Sequence, residues 1–139
     1  MERAKQLGME SIAVTDHGAL YSAVDFYSAA KEFGIKPIIG CETYVAPGSR
    51  NSKEAADKSP YHLTILAKNQ TGYSNLLKLI TKAHLEGFYY KPRVDRELLE
   101  QYHEGLIVLS GCPSAEVPRL INEGQIDQAI ETVKWYREV

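Results

Sequence analysis

Cysteine is scarce in this chain, with Cys41 and Cys112 the only two among 139 residues and far apart in sequence. Two widely spaced thiols cannot build a disulfide framework, and they suit a reducing compartment. Long apolar runs are missing as well: nothing approaches the ~18 consecutive apolar residues of a membrane span. The opening Met1-Glu2-Arg3-Ala4-Lys5 lacks the apolar core of a signal peptide. These absences lead us to expect a soluble, cytoplasmic protein with no membrane partner. An excess of one charge is missing too, since 16 Lys and Arg face 18 Asp and Glu for a net charge of -2. Attraction to nucleic acid would therefore rest on a local basic patch or a bound cation. There is no internal repeat, low-complexity tract or linker. What remains is one domain, or part of one, over residues 1–139, whose 44% hydrophobic and 24% charged residues suffice for a core.

What is present alternates between helix and strand. A short amphipathic stretch stops at Gly8, and a strand follows over 11–15. Leu20, Val24 and Tyr27 mark one face of a helix that opens at Tyr21 and ends at Gly34. A strand over 37–45 leads into a polar segment, 46–60, that reads as one long surface loop. A strand over 61–67 precedes a helix whose Tyr73, Leu76, Leu77, Ile80 and Ala83 keep helical spacing up to Gly87. Pro92 disfavours helical geometry before it, so 88–93 is expected to be loop. A helix over 95–102, a strand over 105–110 and helices over 114–123 and 125–138 complete an α/β pattern, with both cysteines in segments that look like buried strands.

Five polar side chains stand out at strand ends. The run Thr15-Asp16-His17-Gly18 puts an Asp-His pair where α/β barrels place their chemistry. Glu42 and His62 emerge from period-two alternation. In 37–45, Ile39, Cys41, Thr43 and Val45 share one face, and Glu42 lies on the other. In 61–67 the apolar face is Tyr61, Leu63, Ile65 and Ala67, with His62 opposite. A helix-covered sheet needs apolar outward faces, so Glu42 and His62 should point inward or toward a barrel mouth, where an unpaired carboxylate would be costly. Cys112 follows the apolar run Leu106-Ile107-Val108-Leu109. Taken singly, each of these reads as a hydrogen-bonded structural group or a small hydrophobe. As a set of imidazoles, carboxylate and thiol, they suit zinc or manganese. Lys91 and Arg93, flanked by Tyr89 and Tyr90, offer a second signal: a loop able to meet DNA by phosphate contact and stacking, or else a solvated loop that packs its tyrosines on the barrel rim.

Longer phrases carry a family resemblance. Ile35-Lys36-Pro37-Ile38-Ile39-Gly40-Cys41-Glu42, Tyr61-His62-Leu63-Thr64, Leu85-Glu86-Gly87-Phe88-Tyr89-Tyr90-Lys91-Pro92-Arg93 and Glu104-Gly105-Leu106-Ile107-Val108-Leu109-Ser110-Gly111-Cys112 closely resemble the polymerase and histidinol phosphatase (PHP) domain of bacterial replicative DNA polymerase III alpha subunits. The resemblance covers essentially the whole chain. It implies a distorted (β/α)7 barrel whose mouth holds up to three ions, Zn2+ or Mn2+. His17, Glu42, His62 and Cys112 fall on ligand positions, and Asp16 beside them supports without coordinating. The family's opening His-x-His and late Asp-x-His have no counterpart here, so the expectation is a partial PHP domain lacking the first and last strands.

For the complete domain the resemblance implies metal-dependent 3′ to 5′ exonuclease chemistry, of use in proofreading. The setting is a DNA-directed DNA polymerase, a nucleotidyltransferase whose own Mg2+ site lies in a separate palm. The isolated chain is expected to be inactive, because about half the ligands are missing. Implied partners are DNA, the rest of the polymerase alpha chain, and other replicase subunits such as the clamp and an exonuclease subunit. Two other readings stay open: a free-standing phosphoesterase of the histidinol-phosphatase type, and a non-catalytic structural domain.

Overall fold

In the computed structural model, which describes residues 1–139, a short helix α1 (Glu2–Gln6) precedes strand β1 (Ser11–His17), and β1 lies parallel against β2 (Lys36–Val45). Strand β3 (Tyr61–Ala67) runs antiparallel along the other edge of β2, and β6 (Leu106–Leu109) runs antiparallel to β3. Between them come β4 (Phe88–Tyr89) and β5 (Lys91–Val94), an antiparallel hairpin. Val94 and Arg93 of β5 pair parallel with Val45 and Tyr44 of β2, beyond the end of β1. The result is an α/β protein with a mixed sheet of six strands.

The helices are α2 (Ala23–Phe33), α3 (Gln70–Leu85), α4 (Arg96–Tyr102), α5 (Glu116–Asn122) and α6 (Ile126–Glu138). Their limits follow from local chemistry. Gly34 ends α2 at φ 69, a left-handed cap that glycine adopts without steric cost. The Asn69 side chain accepts the Gly72 amide at the start of α3, and Asp95 accepts the Leu98 amide at the start of α4.

The core forms where two periodicities meet. Cys41 and Val45 of β2 and Leu63 and Ile65 of β3 share the face covered by Leu76, Leu79, Ile80 and Ala83 of α3. Val94, Leu98 and Leu99 close the same cluster. Glu42 and His62 lie on the opposite face, as the alternation requires.

Several local expectations need correction. β1 continues through Asp16 and His17, because both pair in register with Cys41 and Glu42. Residues 88–93 form most of a hairpin rather than a loop. Pro92 excludes helix but is tolerated in a short strand outside the centre of the sheet, opposite Phe88. Cys112 is exposed and lies past β6, whereas Cys41 is fully buried. β6 itself leaves Ile107, Val108 and Leu109 exposed. The 46–60 segment is not featureless, since it holds a 3-10 turn at Ala55–Lys58.

That segment is pinned from below by two arginines. Arg93 is completely buried; its Nε donates to Gly87 O at 2.9 Å, and its Nη2 donates to Arg50 O and Ser52 O, each at 2.8 Å. Arg50 reaches back to Glu86, Asp95 and Glu97 at 2.8–3.1 Å. Asp57, 3.8 Å from Arg93 Nη1, accepts from Ser52 Oγ and from the Glu54 amide. Those hydrogen bonds, the Ser52 hydroxyl first, hold its carboxyl below its ordinary range.

Two measurements check this account. Leu76→Ala, at a fully buried position of α3, is expected to cost about 2–5 kcal/mol in urea unfolding. The Asp57 anchor is fully present above the usual carboxylate value, near ~3.9, and is lost as pH falls through its lower folded value. Proteolysis within 46–60 should therefore accelerate in acid in the wild type, and Asp57→Asn should be cleaved readily at neutral pH with little further change.

Candidate metal centre

Because β3 runs against its neighbours, the start of β3 lies on the same rim as the ends of β1, β2 and β6. That reversal brings His62, near the beginning of its strand, to side chains that close theirs. Glu42 is the register partner of His17 on one side and of Thr64 on the other, with His62 diagonally across. Cys112 is turned back toward β3 by backbone bonds: the His62 amide donates to Ser114 O at 3.2 Å, and the Ala115 amide to Cys112 O at 2.9 Å.

The donor atoms converge. His62 Nδ1 lies 2.8 Å from Glu42 Oε1 and 3.4 Å from Cys112 Sγ. One donor atom from each of Glu42, His62 and Cys112 falls within 4.8 Å of the other two. A tetrahedral ion with bonds of about 2.0–2.3 Å needs donors roughly 3.3–3.8 Å apart, so small adjustments suffice to seat one. The other oxygen, Glu42 Oε2, lies 3.4 Å from His17 Nε2. Glu42 thus has one oxygen toward each imidazole, the arrangement of a carboxylate able to bridge two ions.

Asp16 takes no part in this convergence. Its carboxylate accepts from the Ser22 amide at 2.7 Å and Ser22 Oγ at 3.0 Å, securing the approach to α2. Gly18, next to His17, has φ +63, and a side chain there would press on Pro92 and the Tyr44 ring. Its amide donates to Glu42 O at 2.9 Å, and its carbonyl accepts from His84 Nε2 at 2.8 Å.

Tyr44 is the residue that sequence reasoning missed. It sits two positions after Glu42 on the same face, and its ring meets His62 edge-on, with centroids 5.4 Å apart. Being both i+2 from Glu42 and the register partner of His62 was the available signal, but it needed the strand pairing. Lys91 is exposed, with Nζ 5.3 Å from the Tyr44 ring centroid. Arg93 is a correction: a fully buried guanidinium bonded to three backbone carbonyls cannot meet a phosphate.

The two thiols differ in chemistry. Burial pushes the Cys41 thiol up to about 12, and its Sγ donates to Asp16 O at 3.3 Å. Cys112 is open to solvent beside His62.

Comparison with known proteins supports one family. A family model described as "PHP domain" matches residues 1–139. The DNA polymerase III subunit alpha of Borreliella burgdorferi is 48% identical over 100% of this chain and 12% of its own length. That of Treponema pallidum is 51% identical over 96% of this chain and 12% of its own length, and that of Thermus aquaticus is 51% identical over 86% and 10%. The chain spans only 10–12% of the length of these relatives.

Alkylation reads the centre directly. Under native conditions iodoacetamide should modify Cys112 and leave Cys41 untouched, with both reacting after unfolding. Equal native labelling of the two, located by peptide mass, would contradict the burial and environment assigned to them.

Proposed function

The chain belongs to the PHP domain family, and on that footing we propose that it forms part of a metal centre that hydrolyses the 3′ end of DNA within a replicative polymerase alpha subunit. The observation that carries this is the convergence of Glu42, His62 and Cys112 on one rim, with His17 on the second Glu42 oxygen. His62 and His17 would bind through neutral ring nitrogens, Glu42 would bridge, and Cys112 as thiolate would favour zinc over manganese. When bound, such ions supply an activated water near neutral pH and offset charge on the leaving oxygen.

The chain's own residues supply position. The backbone bond from Gly18 to Glu42 keeps His17 and Glu42 together, and the edge of Tyr44 limits rotation of the His62 ring. Lys91 would meet a phosphate of the incoming strand. The mixed sheet is the part of a (β/α)7 barrel that this chain would contribute; the remaining ligands would come from the strands that close it. Separately from this centre, polymerisation would use Mg2+ in a palm elsewhere in the polymerase. DNA, the clamp and an exonuclease subunit are the partners this reading assigns to the whole protein, acting in the cytoplasm. The relatives' shared name favours this over a free-standing phosphoesterase.

In the intact polymerase, Glu42→Ala and His62→Ala should each lower bound metal and reduce exonuclease activity by at least ~100-fold, while nucleotide incorporation stays within about two-fold. Unchanged metal content in both variants, measured by elemental analysis, would refute the ligand assignment. Metal loss without any wild-type exonuclease activity would instead point to a structural metal centre.

A further inference from the structure

Tyr90 is the only non-glycine residue with positive φ, at 58°. It forms the single-residue tip between Tyr89 and Lys91, which pair across the β4–β5 hairpin. Glycine would take this conformation freely, and a bulky side chain here is an outlier. Burial does not compensate for it, because Tyr90 is 64% exposed. The single-residue turn demands a positive φ at this position, which glycine would meet without strain, yet a tyrosine with an exposed ring occupies it.

That ring stands in a row of aromatic and cationic groups. Arg93, locked below by its backbone bonds, has its guanidinium carbon 5.4 Å from the Tyr89 centroid. Tyr89 meets Tyr90 edge-on at 4.8 Å, and Lys58 Nζ lies 5.4 Å from the Tyr90 centroid. On the neighbouring position Lys91 rests over Tyr44, whose edge faces His62 of the metal centre. Neither Lys58 nor Lys91 is ion-paired, and each ammonium instead lies over a tyrosine ring. The strip therefore presents open ring surface and unpaired ammonium groups, leading from a rigid hairpin to the cluster.

We propose that the hairpin tip is a stacking platform for a single-stranded nucleic acid, with a base on Tyr90 and the adjoining phosphates on Lys58 and Lys91. This rests on the reading of the rim as a nuclease centre, and deepens it by naming the path of the strand. Exposed bases supply the flat surfaces that Tyr90 can cover, and phosphates supply the charge that the two lysines lack. A duplex keeps its bases stacked inside and offers the ring nothing. Arg93 acts as a positioning residue, holding Tyr89 and hence the platform.

The test uses the intact polymerase and a single-stranded oligonucleotide carrying 5-iododeoxyuridine at successive positions from its 3′ end, which photo-crosslinks to stacked aromatic side chains. A crosslink to the Tyr90 peptide is expected at a narrow set of positions. Tyr90→Ala should lower its yield at least ~5-fold, the lower range of what one base–aromatic stack is worth, and Tyr90→Phe should preserve it. Tyr90→Gly separates binding from folding: it relieves the positive φ, so thermal stability should hold or rise while the crosslink is lost. A yield in Tyr90→Gly equal to wild type, or crosslinks that all map away from the hairpin, overturns the proposal. Glu42→Ala distinguishes the two readings, since metal content should fall while the Tyr90 crosslink survives. Retained metal in that variant defeats the nuclease reading and leaves the platform to stand on its own crosslink.

Discussion

Backbone pairing along both edges of β2 is the constraint on which the rest of the molecule depends. Residues 40–42 of this strand pair with β1 on one side and β3 on the other, and residues 44 and 45 pair with β5 and β3. Alternation along one ten-residue strand then divides the labour. Cys41, Thr43 and Val45 go into the helix-covered core, and Glu42 and Tyr44 face the rim. A one-residue slip would exchange those faces, putting a carboxylate against Leu76 and Leu79 and removing it from His17 and His62. Register, core and the candidate metal centre are therefore secured together.

The connection from β2 to β3 is the second dependency, because its two ends carry Glu42 and His62. Long connections are entropically costly to hold still, and this one is held by buried charge rather than by apolar packing. Arg93 supplies three hydrogen bonds to backbone carbonyls, with Asp57 nearby, while Nη1 itself has no hydrogen-bond partner. A buried guanidinium is tolerated when most of its donors are met, and removal of its partners leaves an uncompensated charge. The same arginine that fastens this segment also lies against Tyr89, so the loop and the hairpin share one anchor.

At the rim the logic is reversed. Glu42, His62 and Cys112 are only partly covered, and they contact one another rather than the core. His62 Nδ1 lies 2.8 Å from Glu42 Oε1, and the Cys112 thiol lies 3.4 Å from the same ring nitrogen. These are the atoms proposed above as donors to a cation. Tyr44 joins this rim to the hairpin, its ring meeting His62 edge-on and lying beneath the Lys91 ammonium.

Much of this was legible in the residues themselves. Alternation over 37–45 and 61–67 separated Glu42 and His62 from the buried face, helical spacing marked Leu76 and Ile80, and Gly34 marked a helix end, because these patterns depend only on period and local backbone preference. The long phrases ending at Glu42, Arg93 and Cys112 identified the family, which the match over residues 1–139 bears out. Strand direction was not legible, since a period of two is the same read either way. Only pairing decided that β3 is antiparallel and so places His62 on the same rim as Cys112. The hairpin at 88–94, the burial of Arg93 and the exposure of Cys112 were likewise decided by tertiary structure. A proline, an arginine and a cysteine each accept several environments, and only contacts with residues distant in sequence select among them.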